Sequence, residues 1–264
     1  VQSVIDEDSF LPSLGVNWFI SDDHQLRLAL SQTVARPDFK EAANATFYDN
    51  EFNFRVRGNP FLEISDIINA DLRWEWYLSE VDSLSVALFY KDMDKPIERV
   101  VQAASGTAGN SRTFQNSESA ELYGLEVDGR FEFALGEGYD RTVFVSFNAA
   151  FIESEVTAQN QEDRALQGQT EYTANLILGY DDIGAGHQLT VLLNQNGKSI
   201  ADVGVSGQPD VFLEPRLDLN VVYSFNISDA LTLKAKLENL LDDEVEYTQG
   251  GQIFQAVSYT HLTL

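Results

Sequence analysis

Apolar and polar residues alternate along several stretches of the chain, and the charges keep to one of the two sets of positions. In residues 123–133 the odd positions are apolar or glycine, whereas the even positions from Glu126 to Glu132 are charged. The same alternation recurs in residues 69–78 and 216–225. Because successive side chains of a β-strand point to opposite faces, each stretch predicts a strand with one apolar and one polar face.

The pattern predicts ten strands in all. They cover residues 10–20, 25–35, 66–78, 83–93, 119–134, 142–155, 169–180, 187–196, 214–226 and 231–240. Short turns such as residues 21–24, 79–82 and 227–230 join some neighbouring strands. The other connections are long polar stretches that alternate with the turns, and we interpret them as loops at one end of the strands. They are residues 36–65, 94–118, 156–168 and 197–213.

This organisation predicts the fold class. Long strands with one apolar and one ionic face, joined alternately by tight turns and long loops, are typical of a transmembrane antiparallel up-and-down β-barrel. The sequence therefore predicts an all-β chain that contributes about ten strands to such a barrel. A soluble β-sandwich is the alternative, but its crossing connections would mix short and long links at both ends.

Two sets of candidate residues follow from the alternation. The charged positions are expected to line a water-filled lumen, where charge is tolerated. They are Arg73, Glu75, Glu126, Asp128, Arg130, Glu132, Arg216 and Asp218. Aromatic residues gather beside the short turns and are expected to form a lipid-facing girdle, because such rings favour the membrane–water interface. They are Trp18, Trp76, Phe131, Phe133, Tyr180, Tyr223 and Phe225.

Composition excludes several classes of function. The chain has 42 acidic and 17 basic residues, a formal net charge of −25, which repels nucleic acid. It contains no cysteine, so disulfides, thiolate metal sites and cysteine nucleophiles are excluded. No apolar run is long enough for a membrane-spanning helix. The sequence begins at Val1 without an initiator methionine or the pattern of a signal peptide, and we expect an internal fragment.

The chain carries no pattern that predicts catalysis, a cofactor or a metal. The carboxylates Glu126 and Asp128 have the spacing of a strand face and fit a hydrated wall better than acid–base chemistry. His24 and His187 lie beside turns, without a serine or acidic partner that the sequence can place. We therefore expect a protein that is not an enzyme.

Five short motifs resemble, in order, the C-terminal half of a TonB-dependent receptor barrel. Residues 31–39, with the sequence SQTVARPDF, resemble the S-x-T-x-A-R-P stretch that ends a strand in this family. The other four are residues 58–62 (GNPFL), 89–92 (FYKD), 123–126 (YGLE) and 238–242 (ENLLD). Each motif is weak by itself, but together they cover most of the chain.

The resemblance implies a barrel of about 22 strands with a plugged lumen in the outer membrane of a Gram-negative bacterium. Residues 1–256 would form part of its C-terminal half. The expected partners are the receptor's own plug domain, TonB through that plug, outer-membrane lipid and a small nutrient. Siderophores, cobalamin, carbohydrates and peptides are all carried by this family, and the motif forms are most similar to members that take up sugars or peptides. A passive porin or a barrel adhesin without energy coupling is the alternative, and a barrel enzyme is a third hypothesis.

Residues 257–264 depart from the family pattern. The octapeptide VSYTHLTL resembles a translated sequencing adapter, and we interpret it as a doubtful tail. The rival interpretation is a genuine last strand, because Val257, Tyr259 and His261 also alternate. No function is assigned to His261.

Overall fold

The computed structural model of the protein describes residues 8–49, 54–103, 110–136, 140–158, 163–257 and 261–263. These ranges contain one short helix, α1 (Phe39–Ala42), and strands throughout. In chain order the strands are β1 (Ser13–Phe19), β2 (His24–Ala35), β3 (Thr46–Asp49), β4 (Phe54–Arg57), β5 (Ser65–Tyr77), β6 (Ser83–Asp94), β7 (Ile97–Ala103), β8 (Asn110–Asn116), β9 (Ser119–Ala134), β10 (Arg141–Thr157), β11 (Tyr172–Asp182), β12 (His187–Asn196), β13 (Ser199–Gly204), β14 (Val211–Leu213), β15 (Arg216–Ser228), β16 (Leu231–Glu238), β17 (Val245–Gln249), β18 (Gln252–Val257) and β19 (His261–Thr263).

Eleven strands form one antiparallel sheet, here called the wall sheet. Its order is β1-β2-β5-β6-β9-β10-β11-β12-β15-β16-β19, so each strand pairs with its neighbours along the up-and-down path. The all-β prediction is confirmed, and each of the ten predicted strands lies in this sheet. The sheet is open, with β1 and β19 at its edges.

The register of the wall sheet separates two faces. Leu28, Leu72, Leu88, Leu125 and Phe151 are successive cross-strand partners from β2 to β10 and lie in one row. Because directly paired residues share a face, these rows make a continuous apolar face. The other side is the polar face.

The apolar face is exposed in this structure. Leu88 is 53% exposed and Leu72 39% exposed, and similar residues continue along the sheet. An apolar area spread over so many strands is far larger than soluble monomers present to water. Hydrocarbon is therefore the solvent that suits this face.

The long connections lie at one end of the wall sheet and pair with each other. They contribute strands to a second sheet, here called the cap sheet, with the order β18-β17-β14-β13-β7-β8-β4-β3. The prediction of loops was wrong for the segments that form β3, β4, β7, β8, β13 and β14, and β17 and β18 were not predicted. Two contacts between hairpins are parallel, at Val203–Val100 and at Val56–Arg112.

The best-packed apolar core of the described chain lies in the cap sheet. Val100, Val101, Val203 and Val211 are at most 1% exposed. Within the described ranges, the wall sheet is a single layer that buries apolar residues only near its loop end, at Met93, Ala120 and Val156, whereas Ala165 and Val205 cover the cap strands at Val100 and Val203. This is why the buried apolar residues concentrate outside the strands with the clearest alternation.

Two of the family-like motifs join at the base of the cap sheet. Asp38 begins α1 with a capping box, in which Glu41 accepts a hydrogen bond from the Asp38 amide at 2.8 Å. The Gly58 amide donates to the Ala45 carbonyl at 3.1 Å, and a Cβ on Gly58 would lie 2.2 Å from the Ala43 oxygen. The chain therefore approaches α1 so closely that glycine is required at this position.

No helix within the described ranges is long and apolar enough to cross a membrane. The structure describes only residues 257 and 261–263 of the doubtful tail. His261 pairs with Glu238 through β19, whereas Tyr259 lies outside the described residues. The origin of residues 257–264 stays a prediction.

Candidate ligand-binding surfaces

The register places the eight predicted lumen residues on the polar face of the wall sheet. Glu75, Ser85 and Asp128 are successive cross-strand partners, and Asp218 faces Asn194 further along the sheet. Arg130 pairs with Glu132 at 3.5 Å and Arg216 with Asp218 at 3.8 Å. That these residues face a lumen stays a prediction, but they do share one face.

Arg73 is the centre of an ionic cluster on this face. Its guanidinium donates to Asp128 at 2.8 and 3.0 Å and to Glu75 at 3.1 Å, with Glu126 at 4.0 Å. Arg27 adds a second cation, 3.0 Å from Glu75. The Arg27 contact was missed because it depends on the register of β2 against β5, which the sequence pattern does not give.

The seven predicted girdle aromatics share the apolar face. Trp18 faces Leu26, Trp76 faces Leu84, and Tyr180 faces Leu189. Phe131, Phe133, Tyr223 and Phe225 lie opposite Val145, Val143, Ala235 and Leu233. All seven belong to the half of each strand that leads to a short turn. Their contact with lipid headgroups stays a prediction.

A pocket of about 530 Å³ opens on the cap sheet, here called the cap pocket. Its lining combines three cations, one carboxylate and three aromatic rings. These residues are Lys40, Arg99, Arg112, Asp49, Phe47, Tyr48 and Phe114, together with Val56. In a chain with 42 acidic and only 17 basic residues, this concentration of cations singles out the pocket.

One buried carboxylate holds the two pocket arginines. Asp202 on β13 is fully buried and accepts hydrogen bonds from Arg99 on β7 and from Nε of Arg112 on β8, the latter at 2.8 Å. Arg112 also lies 3.3 Å from Asp49 on β3. Burial lowers the pKa of Arg112, as does the nearby Arg99 charge, although Asp202 opposes both effects. Residues of three separate connections therefore meet in one ionic network.

A second buried pair lies on the other side of β7. Arg164 donates to both carboxylate oxygens of Glu98, at 2.8 and 2.6 Å, and the Ser117 hydroxyl also donates to this group. Burial raises the pKa of Glu98, but the hydrogen bonds from Arg164 and Ser117 outweigh it, so the pKa lies below its usual value.

The Glu98 pair predicts acid sensitivity of the cap sheet. A carboxylate whose pKa is lower in the folded state stabilises that state above its unfolded pKa, about 4.5. This stability is lost as the pH falls through the folded value. We expect urea-induced opening of the cap sheet to become easier below pH ~4.5. Limited proteolysis of the full-length receptor at several pH values measures this effect.

The matched variants for this prediction are Glu98→Gln and Glu118→Gln. Glu98→Gln should weaken the cap sheet at neutral pH and flatten its pH dependence. Glu118 is exposed in the same connection, and its variant should follow the wild type. An unchanged pH profile in Glu98→Gln would contradict the assignment.

No group of three or more potential ligand side chains in the described parts of the chain could hold a metal ion.

Sequence comparison then gives the family. The model of the family described as "TonB dependent receptor-like, beta-barrel" matches residues 2–240. The chain belongs to this family. It is thus part of the β-barrel of a TonB-dependent receptor, a family of transport receptors in the Gram-negative outer membrane.

This chain is similar to other outer-membrane proteins in sequence and in fold. The iron-regulated outer membrane virulence protein of Vibrio cholerae serotype O1 is 27% identical over 208 residues, which are 75% of this chain and 30% of that protein. The ferric enterobactin receptor of Pseudomonas aeruginosa, as a mutant with enterobactin, superposes with a TM-score of 0.60 at 19% identity, over 91% of this chain and 36% of that one.

Two further structures have the same fold. The siderophore receptor PirA of Acinetobacter baumannii has a TM-score of 0.60 at 16% identity, over 89% of this chain and 37% of that one. The copper transporter OprC has a TM-score of 0.67 at 14% identity, over 95% and 37%. The TonB-dependent receptor chain thus spans about a third of the length of the relatives that it matches.

Proposed function

We propose that this chain belongs to a receptor that captures a catecholate-type ferric chelate at the cap pocket and imports it with energy supplied through TonB. The observation that carries the proposal is the combination of cations and aromatic rings in one pocket beyond the end of the wall sheet. The proposal excludes an enzyme, a passive porin and an adhesin.

The chemistry of the cap pocket fits an anionic aromatic ligand. Arg99 is about a third exposed, and Lys40 is exposed on α1, so both cations can reach a ligand in the pocket. Phe47 and Phe114 supply ring faces and edges against which a catechol ring can pack. Cations beside rings favour a ligand that is both negatively charged and aromatic.

The names of the relatives support this ligand class. One is iron-regulated, another was solved with enterobactin, and a third is a siderophore receptor. In the proposed receptor, the polar face of the wall sheet lines the lumen and contacts the plug, while the apolar face and its aromatic girdle contact lipid. The Arg73 cluster is suited to hold a plug because its partly exposed charges can pair across an interface.

The test uses the full-length receptor and ferric enterobactin. Lys40→Gln should raise the Kd for the chelate about tenfold, since a hydrogen bond to a charged group is worth about 1.5–3 kcal/mol. The matched control is Arg57→Gln, which removes a cation from the opposite face of β4 and should bind as wild type. Fluorescence titration gives Kd, and uptake of radioactive iron gives transport.

Energy coupling is tested in the same cells. Deleting TonB should abolish uptake of the chelate but leave binding intact. Uptake that continues without TonB would favour the porin alternative. Binding without any uptake would favour an adhesin, and specific binding of a sugar or peptide instead of the chelate would contradict the ligand class.

A further inference from the structure

A recess of about 620 Å³ lies on the polar face of the wall sheet and shares no lining residue with the cap pocket. It is here called the amide recess, because Asn148, Asn175, Asn194 and Asn220 line it. These four asparagines belong to β10, β11, β12 and β15. Ile177 and Leu192 supply apolar surface between them.

Three of these asparagines form a directed hydrogen-bond ladder with Asn196. The amide nitrogen of Asn196 donates to the oxygen of Asn194 at 3.0 Å, and Asn194 donates in turn to Asn175. Asn175 then donates to Asn148 at 2.6 Å. Because every amide donates in the same direction, each bond polarises the next one. The ladder ends at exposed Asn148, whose amide group is presented to the recess.

The amide recess reaches the edge of the charged cluster, because Asp128 and Arg130 also line it, but its asparagines differ in chemistry from that cluster. The strands β5 and β9 present the charged cluster around Arg73, in which Asp128 is already held by Arg73 and Ser85. The strands β10 to β12 present neutral amides at the corresponding row. A neutral amide both donates and accepts hydrogen bonds, so it can bind a polar group and release it without separating charges.

The cation of Arg130 lies at one border of the recess. The Arg130 guanidinium lies 4.7 Å from the centre of the Phe144 ring, and this ring covers Gly179, where a Cβ would lie 2.0 Å from it. Glycine at this position lets the ring lie flat along the wall. Arg130 therefore lines the recess while its guanidinium packs on the neighbouring Phe144 ring.

We propose that the amide recess is a transit site, which hydrogen-bonds the amide and carbonyl groups of the chelate after it leaves the cap pocket. The inference rests on the proposed function. It commits to the transported chelate as the occupant, since uncharged groups that exchange hydrogen bonds suit brief binding during passage. A plug segment lodged permanently in the recess is the competing occupant.

The experiment compares three variants of the full-length receptor. Asn175→Leu breaks the ladder in the middle, and Asn148→Leu removes its exposed end. Asn17→Leu is the control, because Asn17 faces Arg27 on the polar face but lies far from the recess. We expect the first two variants to bind ferric enterobactin with the wild-type Kd but to transport it about tenfold more slowly at saturation.

The outcomes separate the possibilities. Wild-type transport in both ladder variants would overturn the transit site while leaving the proposed function intact. Cells that become permeable to a large antibiotic would show a loosened plug, which also overturns it. If the wild-type receptor shows no TonB-dependent uptake of ferric enterobactin, the proposed function itself is overturned. Should Asn175→Leu lose the heat-shifted gel mobility of a folded barrel, the exposed Asn148→Leu site still decides the question.

Discussion

Asp202→Ala will destabilise the cap sheet by about 3 kcal/mol, because it leaves buried Arg112 without its closest carboxylate. Arg112 is fully buried and keeps Asp49, at 3.3 Å, as an acidic partner. Arg99 can turn into solvent, since it is about a third exposed. The lower stability of the cap sheet should appear as faster amide exchange in β7 and β13 and as weaker binding of the chelate.

The control for Asp202→Ala replaces both partners of the Asp202–Arg112 ion pair. Asp202→Leu together with Arg112→Met removes two buried charges at once, and similar cases are neutral or even stabilising. We expect amide exchange of the cap sheet in this double variant to return close to the wild-type rate. If Asp202→Ala alone leaves exchange unchanged, the hairpins are held together by their backbone pairing and not by this carboxylate.

Leu125→Lys will impair assembly of the receptor in the outer membrane. Leu125 lies on the apolar face in a row that includes Leu72, Leu88 and Phe151. A lysine near the middle of a lipid-facing strand costs about 2–4 kcal/mol. The expected result is less folded receptor in the membrane, measured as the fraction with heat-shifted gel mobility.

The matched control for Leu125→Lys is the same substitution at the neighbouring residue. Glu126→Lys places the same side chain one residue further along β9 on the polar face, and Arg73 retains Glu75 and Asp128 as partners. Its yield of folded receptor should stay near the wild-type level. Equal losses in both variants would mean that the two faces do not meet different solvents.

The wall strands could be predicted because their signal is local. Each strand repeats a two-residue period over ten or more positions, as in residues 119–134, so its type is visible without knowledge of its neighbours. The two faces follow from the same period. The membership of Arg73 and Asp128 in the polar face was therefore predictable, whereas their direct contact was not.

The cap sheet could not be predicted because its pairing is non-local. Strand β7 pairs in parallel with β13 about a hundred residues away, at Val100 and Val203. These strands are short and interrupted by charged residues such as Glu98 and Asp202, which become buried only when their arginine partners arrive from other connections. The β-branched residues in 97–101 and 200–205 were the available signal. The asparagine ladder likewise appears only once the register is known.

The uninterrupted register of the wall sheet constrains how genes for such receptors can change in length. The single irregularity in the described wall pairings lies between Asn226 and Ser228, beside a turn. Gain or loss of one codon inside another wall strand would move the side chains beyond it to the opposite face of the sheet. Carboxylates would then face hydrocarbon and leucines would face water. Insertions and deletions are therefore tolerated in the segments between the wall strands, and this is where recognition can diversify while the membrane-embedded part keeps its length.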